Sequence, residues 1–216
     1  MIVSSLDAST PVAVDLRTIL APERSSLLMM ECQQAVIGGG GRFNALAEAV
    51  ERRGMVAEVG RLLRAARGAG VAVFHLTTSR RADGRGAITN CAVLAAGKKA
   101  EPMVVGSPRH AVVSELAPIE GDFVVNRRHG LTPFHGTELD QLLRNLRVQT
   151  VVATGVSVNV GITGLAIEAV NSGYQVVIPR EAVAGTPDDY VDAMLQNTLR
   201  LLATITTVEE VLAAWG

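Results

Sequence analysis

Three short stretches of the 216-residue chain carry side chains suited to chemistry on a small molecule. The first is Glu31, which closes the apolar run 25–31 (SSLLMME). A carboxylate at the carboxyl edge of a buried strand is costly unless paired or solvated, so position alone leaves two readings: a proton-transfer group, or the opening residue of a loop. The second is Arg127-Arg128-His129, directly after the apolar run 122–126 and before a turn containing Gly130 and Pro133. A planar guanidinium fork makes bidentate, charge-assisted bonds to a carboxylate or a developing oxyanion, while a solvated basic turn would use the same residues. The third is 154–163 (TGVSVNVGIT), a strand passing through small residues into a helix. N–H groups at the start of that helix could cradle an anion, with Ser157 and Asn159 as polar contacts and Gly161 admitting a ligand against the backbone. The alternative is a tight turn packing helix on strand. Neither G-x-x-x-x-G-K-[ST] nor G-x-G-x-x-G occurs, so this is not a nucleotide phosphate loop. His75, His129 and His135 could be further polar contacts, though such a histidine is more often an ordinary hydrogen-bonded residue than a catalyst.

These residues need a scaffold, and the pattern supplies one. After a lead-in containing Pro11 and Pro22, residues 25–31 read as a buried strand. Residues 44–69 show apolar positions at three- and four-residue spacing, a helix that Gly54 divides and Gly68 and Gly70 end. Strands follow at 71–76, 122–126, 150–154, 174–179 and 204–206. Helices are expected at 92–98, 137–146, from Gly155 to about 172, at 187–202 and at 207–215. The Gly-rich, basic segment 77–109 is a long loop of the kind that carries function. Strands alternating with helices predict a single three-layer α/β/α domain, 25–216, around a mostly parallel sheet of about six strands, preceded by an arm, 1–24. In such sheets a ligand sits beyond the carboxyl ends of the strands, where strand order reverses.

Composition narrows the partners. Apolar residues make up 48% and charged residues 19%, which excludes disordered, collagen-like and coiled-coil chains. Twenty basic against 21 acidic side chains give a net charge of −1, which argues against nucleic acid or an anionic membrane and leaves a small molecule. Two cysteines, Cys32 and Cys91, cannot build a disulfide framework, and the start of the chain lacks the pattern of a secretory signal, so a cytoplasmic setting is expected. The uncharged run 151–167 is interrupted by Gly155, Ser157, Asn159, Gly161, Thr163 and Gly164, and reads as a buried strand feeding a buried helix rather than a membrane span.

Together the three stretches resemble the isochorismatase-like hydrolases, or cysteine hydrolase superfamily, over nearly the whole chain from Leu27 to about Thr207. That family ends its first strand with L-L-x-x-D-M-Q, carries a Lys followed by a Ser-x-Phe turn on a middle strand, and starts a later helix with G-V-x-T-x-x-C-V. The counterparts are Leu27-Leu28-Met29-Met30-Glu31-Cys32-Gln33, then Val124-Val125-Asn126-Arg127-Arg128 leading to Thr132-Pro133-Phe134, and Gly155-Val156-Ser157-Val158-Asn159-Val160-Gly161-Ile162. The resemblance implies a Rossmann-like fold, a homo-oligomer, and His129, Phe134, Ser157 and Asn159 as substrate contacts. It places Glu31 at the family's Asp, Arg127 or Arg128 at its Lys, and Gly161 at its Cys. Glycine cannot attack, so a covalent thioester route is closed at this position. Cys32, next to Glu31 on a strand, should face the other way as an inert thiol. The Asp-x-His metal site of related amidases has only His75 as a counterpart, so neither metal nor cofactor is expected. The isochorismatases proper, which split a vinyl ether, resemble this chain in lacking that cysteine. The implied activity is acid catalysis by Glu31 on a small anionic or vinyl-ether substrate clamped by an arginine. The alternative is a catalytically inactive relative that binds a small molecule or serves as an assembly partner, and Trp215 belongs either to a subunit contact or to simple packing.

Overall fold

The computed structural model describes residues 15–39 and 44–216. Its strands are β1 Ser25–Met30, β2 Ala72–Thr78, β3 Phe123–Arg127, β4 Thr150–Val156, β5 Gln175–Pro179, β6 Val183–Ala184 and β7 Thr204–Thr206. The helices are α1 Leu16–Ile19, α2 Gln34–Ile37, α3 Asn44–Arg52, α4 Met55–Ala69, α5 Ala92–Lys98, α6 Leu139–Asn145, α7 Thr163–Asn171, α8 Asp188–Asn197 and α9 Val208–Trp215. The strands form one parallel sheet in the order β3-β2-β1-β4-β5-β7, with the two-residue β6 beside β4.

Every residue of β1 is buried, as a central strand covered on both faces demands. Leu27 and Met29 enter one apolar cluster with α4 and α9, while Leu28 and Met30 enter the other with α6, α7 and α8. This is the expected three-layer arrangement. Gly54 adopts φ 63° between α3 and α4, the break anticipated within 44–69. The chain runs outward from β1 through β2 to β3, then restarts at β4 and proceeds the other way. Strand order therefore reverses between β1 and β4, and the crevice beyond their carboxyl ends is where Glu31 and Gly161 leave the sheet.

Several segments differ from the sequence reading. Helix 187–202 ends at Asn197 and is followed by a 3-10 turn at Leu199–Leu201. Residues 1–14 of the arm lie outside the described residues, but Leu20 is fully buried, and the Trp215 indole N–H donates to the Leu20 carbonyl at 3.1 Å. Trp215 thus packs inside its own chain. His75 is also buried, with Nε2 3.0 Å from Asp122 Oδ2, and Asp122 in turn pairs with Arg67. Burial holds the imidazole below its ordinary value, so His75 is a neutral partner inside the fold rather than a ligand contact. Among the described residues no helix is long and apolar enough to cross a membrane.

Candidate functional site

Glu31 follows the last residue of β1 and takes φ 52°, a left-handed conformation that non-glycine residues rarely adopt. Its N–H donates to the Leu76 carbonyl at 2.9 Å, so the turn is anchored to β2. The Gln33 side chain fixes the exit further: Oε1 accepts from the Thr78 N–H at 2.7 Å, while Nε2 donates to the carbonyls of Thr78 and His110 at 3.0 and 2.8 Å. One fully buried amide therefore ties the end of β1 to β2 and to the loop before β3.

Arg127 is the last residue of β3 and shares a strand face with Val125 and Phe123. β3 lies two strands from β1, roughly 10 Å away, a span a guanidinium stem can bridge across the end of β2. It does so: Arg127 Nη2 is ion-paired with Glu31 Oε1. Both side chains are largely buried, 5% exposed for Arg127 and 18% for Glu31. Arg127 Nε donates to the Gly130 carbonyl at 3.4 Å, and Nη1 is buried without a partner. Arg128 is exposed and sits on the rim. The choice between the two arginines left open by the sequence is settled for the contact with Glu31, which Arg127 makes.

From β4 the chain enters one turn of π-helix, Val158–Ile162, before α7. Such turns recur at functional sites because they insert an extra residue into a helix face. Gly161 lies in this turn, pressed against the sheet. A Cβ there would stand 2.9 Å from the Val156 carbonyl oxygen and 3.1 Å from Met30 Cε. Asn159 Nδ2 donates to the Thr186 carbonyl at 3.2 Å, which leaves its buried Oδ1 without a donor.

Glu31, Arg127, Arg128 and His129 line one cavity of about 360 Å³ together with Ser157, Asn159 and Gly161. Three distant stretches thus converge as expected. Phe134 does not join them. Its ring packs 6.0 Å from the Tyr174 ring, against the cluster on the α6 and α7 side of the sheet, where it buries its apolar surface away from the cavity. His75 and His135 are also absent from the lining. Sequence reasoning missed Arg80, Glu101 and Arg109, and the apolar wall formed by Val36, Leu46, Leu94 and Met103. The long loop 77–109 supplies most of these, and its length and composition were the available signal.

Neither cysteine reaches the cavity. Cys32 Sγ lies 3.8 Å from the Met30 carbonyl in the cluster on the α4 side, and burial pushes its thiol up to about 12. Cys91, just before α5, is half-buried. A disulfide reagent such as DTNB should therefore titrate one thiol per chain in the native protein and two in guanidinium chloride. Rapid reaction of both native thiols would contradict the placement of Cys32. Among the described residues there is no group of three or more His, Cys, Asp and Glu side chains arranged to hold a metal ion.

Comparison with known proteins agrees with this architecture. The chain is 29% identical to the uncharacterized isochorismatase family protein YaaI of Bacillus subtilis (strain 168) over 105 residues, 47% of this chain and 56% of that protein. It is 32% identical to YwoC of the same strain, also described as an uncharacterized isochorismatase family protein, over 46% of this chain and 52% of that one. The match spans about half the length of these curated relatives. A solved cysteine hydrolase from Pseudomonas syringae pv. phaseolicola 1448A superposes with a TM-score of 0.77 at 25% identity, covering 89% of this chain and 92% of that chain. The isochorismatase domain model matches residues 25–210, nearly all of the sheet and its covering helices, and the chain belongs to the isochorismatase family.

Proposed function

We propose that this protein is a hydrolase of small anionic substrates that works without a covalent enzyme intermediate, and that a vinyl-ether carboxylate fits its site best. Glu31, Arg127 and Gly161 would occupy the positions of the family's acid, lysine and cysteine. The observation that carries this is the contact between Glu31 and Arg127 inside a cavity bordered by Gly161 and reached by neither thiol. The spare Arg127 Nη1 would receive the substrate carboxylate, drawing the guanidinium away from Glu31. A carboxylate left beside an apolar wall without its counter-charge favours the neutral acid. Glu31 then gives its proton to the terminal vinyl carbon, and water adds to the resulting cation and returns a proton to Glu31. The hemiketal breaks its C–O bond as its hydroxyl proton passes to the departing oxygen, releasing a keto acid and an alcohol. Glu31, ionised in its pair with Arg127, would take the proton it donates from solvent when the substrate displaces the arginine, and would return it to solvent when the pair re-forms. Arginine cannot exchange a proton under these conditions, which confines Arg127 to binding and charge. Asn159 Oδ1 is available to accept from a hydroxyl of the departing alcohol.

The test is incubation with a panel of vinyl-ether carboxylates and small amides, following the products and the intact protein mass together. Keto acid released with no mass adduct on the enzyme is the expected result. An acyl adduct would overturn the mechanism. Ligand-dependent thermal stabilisation across the panel with no product would replace it with the binding-protein reading.

A further inference from the structure

We propose that His75, Asp122 and Arg67 form an acid-sensitive clamp on the edge strand β3, which releases that strand, and Arg127 at its far end, before the rest of the sheet opens. The inference concerns the fold around β3 and holds whatever reaction the cavity performs. β3 stands at the edge of the sheet, paired with β2 alone among the described strands, and Val124 within it is 47% exposed. Its hold therefore depends on its two ends. At the exit, Arg127 pairs with Glu31, and the Arg127 carbonyl accepts from the Ser79 N–H at 2.9 Å. At the entry stands Asp122, one residue before the strand, with a side chain only 5% exposed. Its Oδ2 accepts from Arg67 Nη2, from His75 Nε2 at 3.0 Å and from the Ile119 N–H at 3.1 Å, while Oδ1 accepts from Arg67 Nε at 3.4 Å. Arg67 Nη2 also donates to the Ala117 carbonyl at 3.1 Å. One carboxylate thus joins α4, β2 and the turn that enters β3.

The ionised Asp122 only accepts, so the proton of neutral His75 sits on Nε2, and Nδ1 is a bare lone pair, buried without a partner. Among the described residues, the charges that face the ring are Arg67 from α4 and Asp122 from the turn before β3. Its neighbours in register, Met29 on β1 and Val124 on β3, are apolar. A second proton on the ring would leave an N–H at Nδ1 with no acceptor and a new positive charge competing with Arg67 for one carboxylate. Water must reach Nδ1 to accommodate it, which requires the Asp122 turn or the end of α4 to leave β2. Protonation and opening are therefore one event. Burial holds the imidazole of the closed form below its ordinary value of 6.5, so the open form takes up the proton first, and the clamp is at full strength above that pH and weakens as the pH falls below it. Against its own burial, Asp122 is held below its ordinary value by Arg67, the Ile119 N–H and His75, so it stays ionised throughout this range.

Amide hydrogen exchange read by mass spectrometry, corrected for the intrinsic pH dependence of exchange, tests this on the wild type and His75→Gln between about pH 7.5 and pH 5.5. Glutamine stays neutral throughout and can still donate to Asp122. In the wild type, protection of Phe123–Arg127 should fall by about tenfold over that range, as uptake of one proton dictates, while Ser25–Met30 and Thr150–Val156 keep theirs. In His75→Gln the protection of β3 should not change with pH. The pair of Glu31 with Arg127 is common to both proteins, so their difference isolates His75. Equal pH dependence of β3 in the two proteins overturns the clamp, and so does a loss shared equally by β1 and β4, which would be unfolding of the whole sheet. A second measurement needs no variant: NMR of the assigned His75 ring in the wild type should show the neutral Nε2–H tautomer at pH 6. A charged ring or an Nδ1–H tautomer at that pH overturns the proposal even if His75→Gln does not fold.

Discussion

Replacing Gly155 with alanine should destabilise the fold by more than about 4 kcal/mol, at the extreme end of single substitutions. Gly155 pairs with Met30 across the β1 and β4 ladder and takes φ 97°, where a Cβ is strained in any surroundings. That Cβ would lie 2.2 Å from the Met30 carbonyl oxygen and 2.9 Å from the Met30 nitrogen. Both are backbone atoms of the central strand, so relief requires moving the end of β1, and with it Glu31. Gly161→Ala meets a milder obstacle: one carbonyl oxygen at 2.9 Å and a flexible methionine end at 3.1 Å, which predicts about 1–3 kcal/mol. Urea denaturation of both variants checks the order. A Gly155→Ala protein within 1 kcal/mol of wild type would mean that the close approach of the two strands is wrong. The same contacts imply that Gly161→Cys cannot install a thiol without displacing either Met30 or the π-turn.

The scaffold was legible because apolar periodicity survives in these segments. Helix α5, strand β7 and the break at Gly54 fall where the pattern put them, since each depends on neighbours in sequence. What escaped depended on distant partners. Two-residue β6 is too short for any period to register. Leu20 sits between prolines in a segment of mixed polarity, and only the Trp215 indole almost two hundred residues away shows why it is buried. The choice between Arg127 and Arg128 hinged on one residue of strand length. With β3 ending at Asn126 neither arginine has a face, whereas ending at Arg127 the alternation from Val125 aims it at the cavity. Phe134 is a substrate contact only by family resemblance, and its ring packs against Tyr174 instead. Arg80 and Arg109 carry no local signal beyond the length and composition of the loop 77–109 that holds them. Both line the cavity because Arg80 leaves the end of β2 and the segment before β3 is tied to α2 by the bond from the Ala35 N–H to the Arg109 carbonyl.

The second large effect is expected at the Glu31 and Arg127 pair, where stability and activity should respond in opposite patterns. Removing one member of a buried ion pair leaves the other charge desolvated and typically costs about 3–5 kcal/mol, whereas replacing both is often nearly neutral. Glu31 keeps 18% exposure, so about 2–3 kcal/mol is expected for Glu31→Gln or Arg127→Met alone, with most of the loss recovered in the double variant. Turnover should show no such recovery. Glu31→Gln lacks the proton donor and should lower kcat/KM by about 10²–10⁴-fold. Arg127→Met lacks the clamp for the substrate carboxylate, and the double variant should be no more active than the worse single one, because the two groups act on the same step. A purely structural ion pair would couple in denaturation yet leave turnover largely unaffected, while a coupling energy below about 0.5 kcal/mol would show that the two side chains do not depend on each other. The combination of restored stability with abolished turnover is what distinguishes a pair retained for chemistry from one retained for the fold.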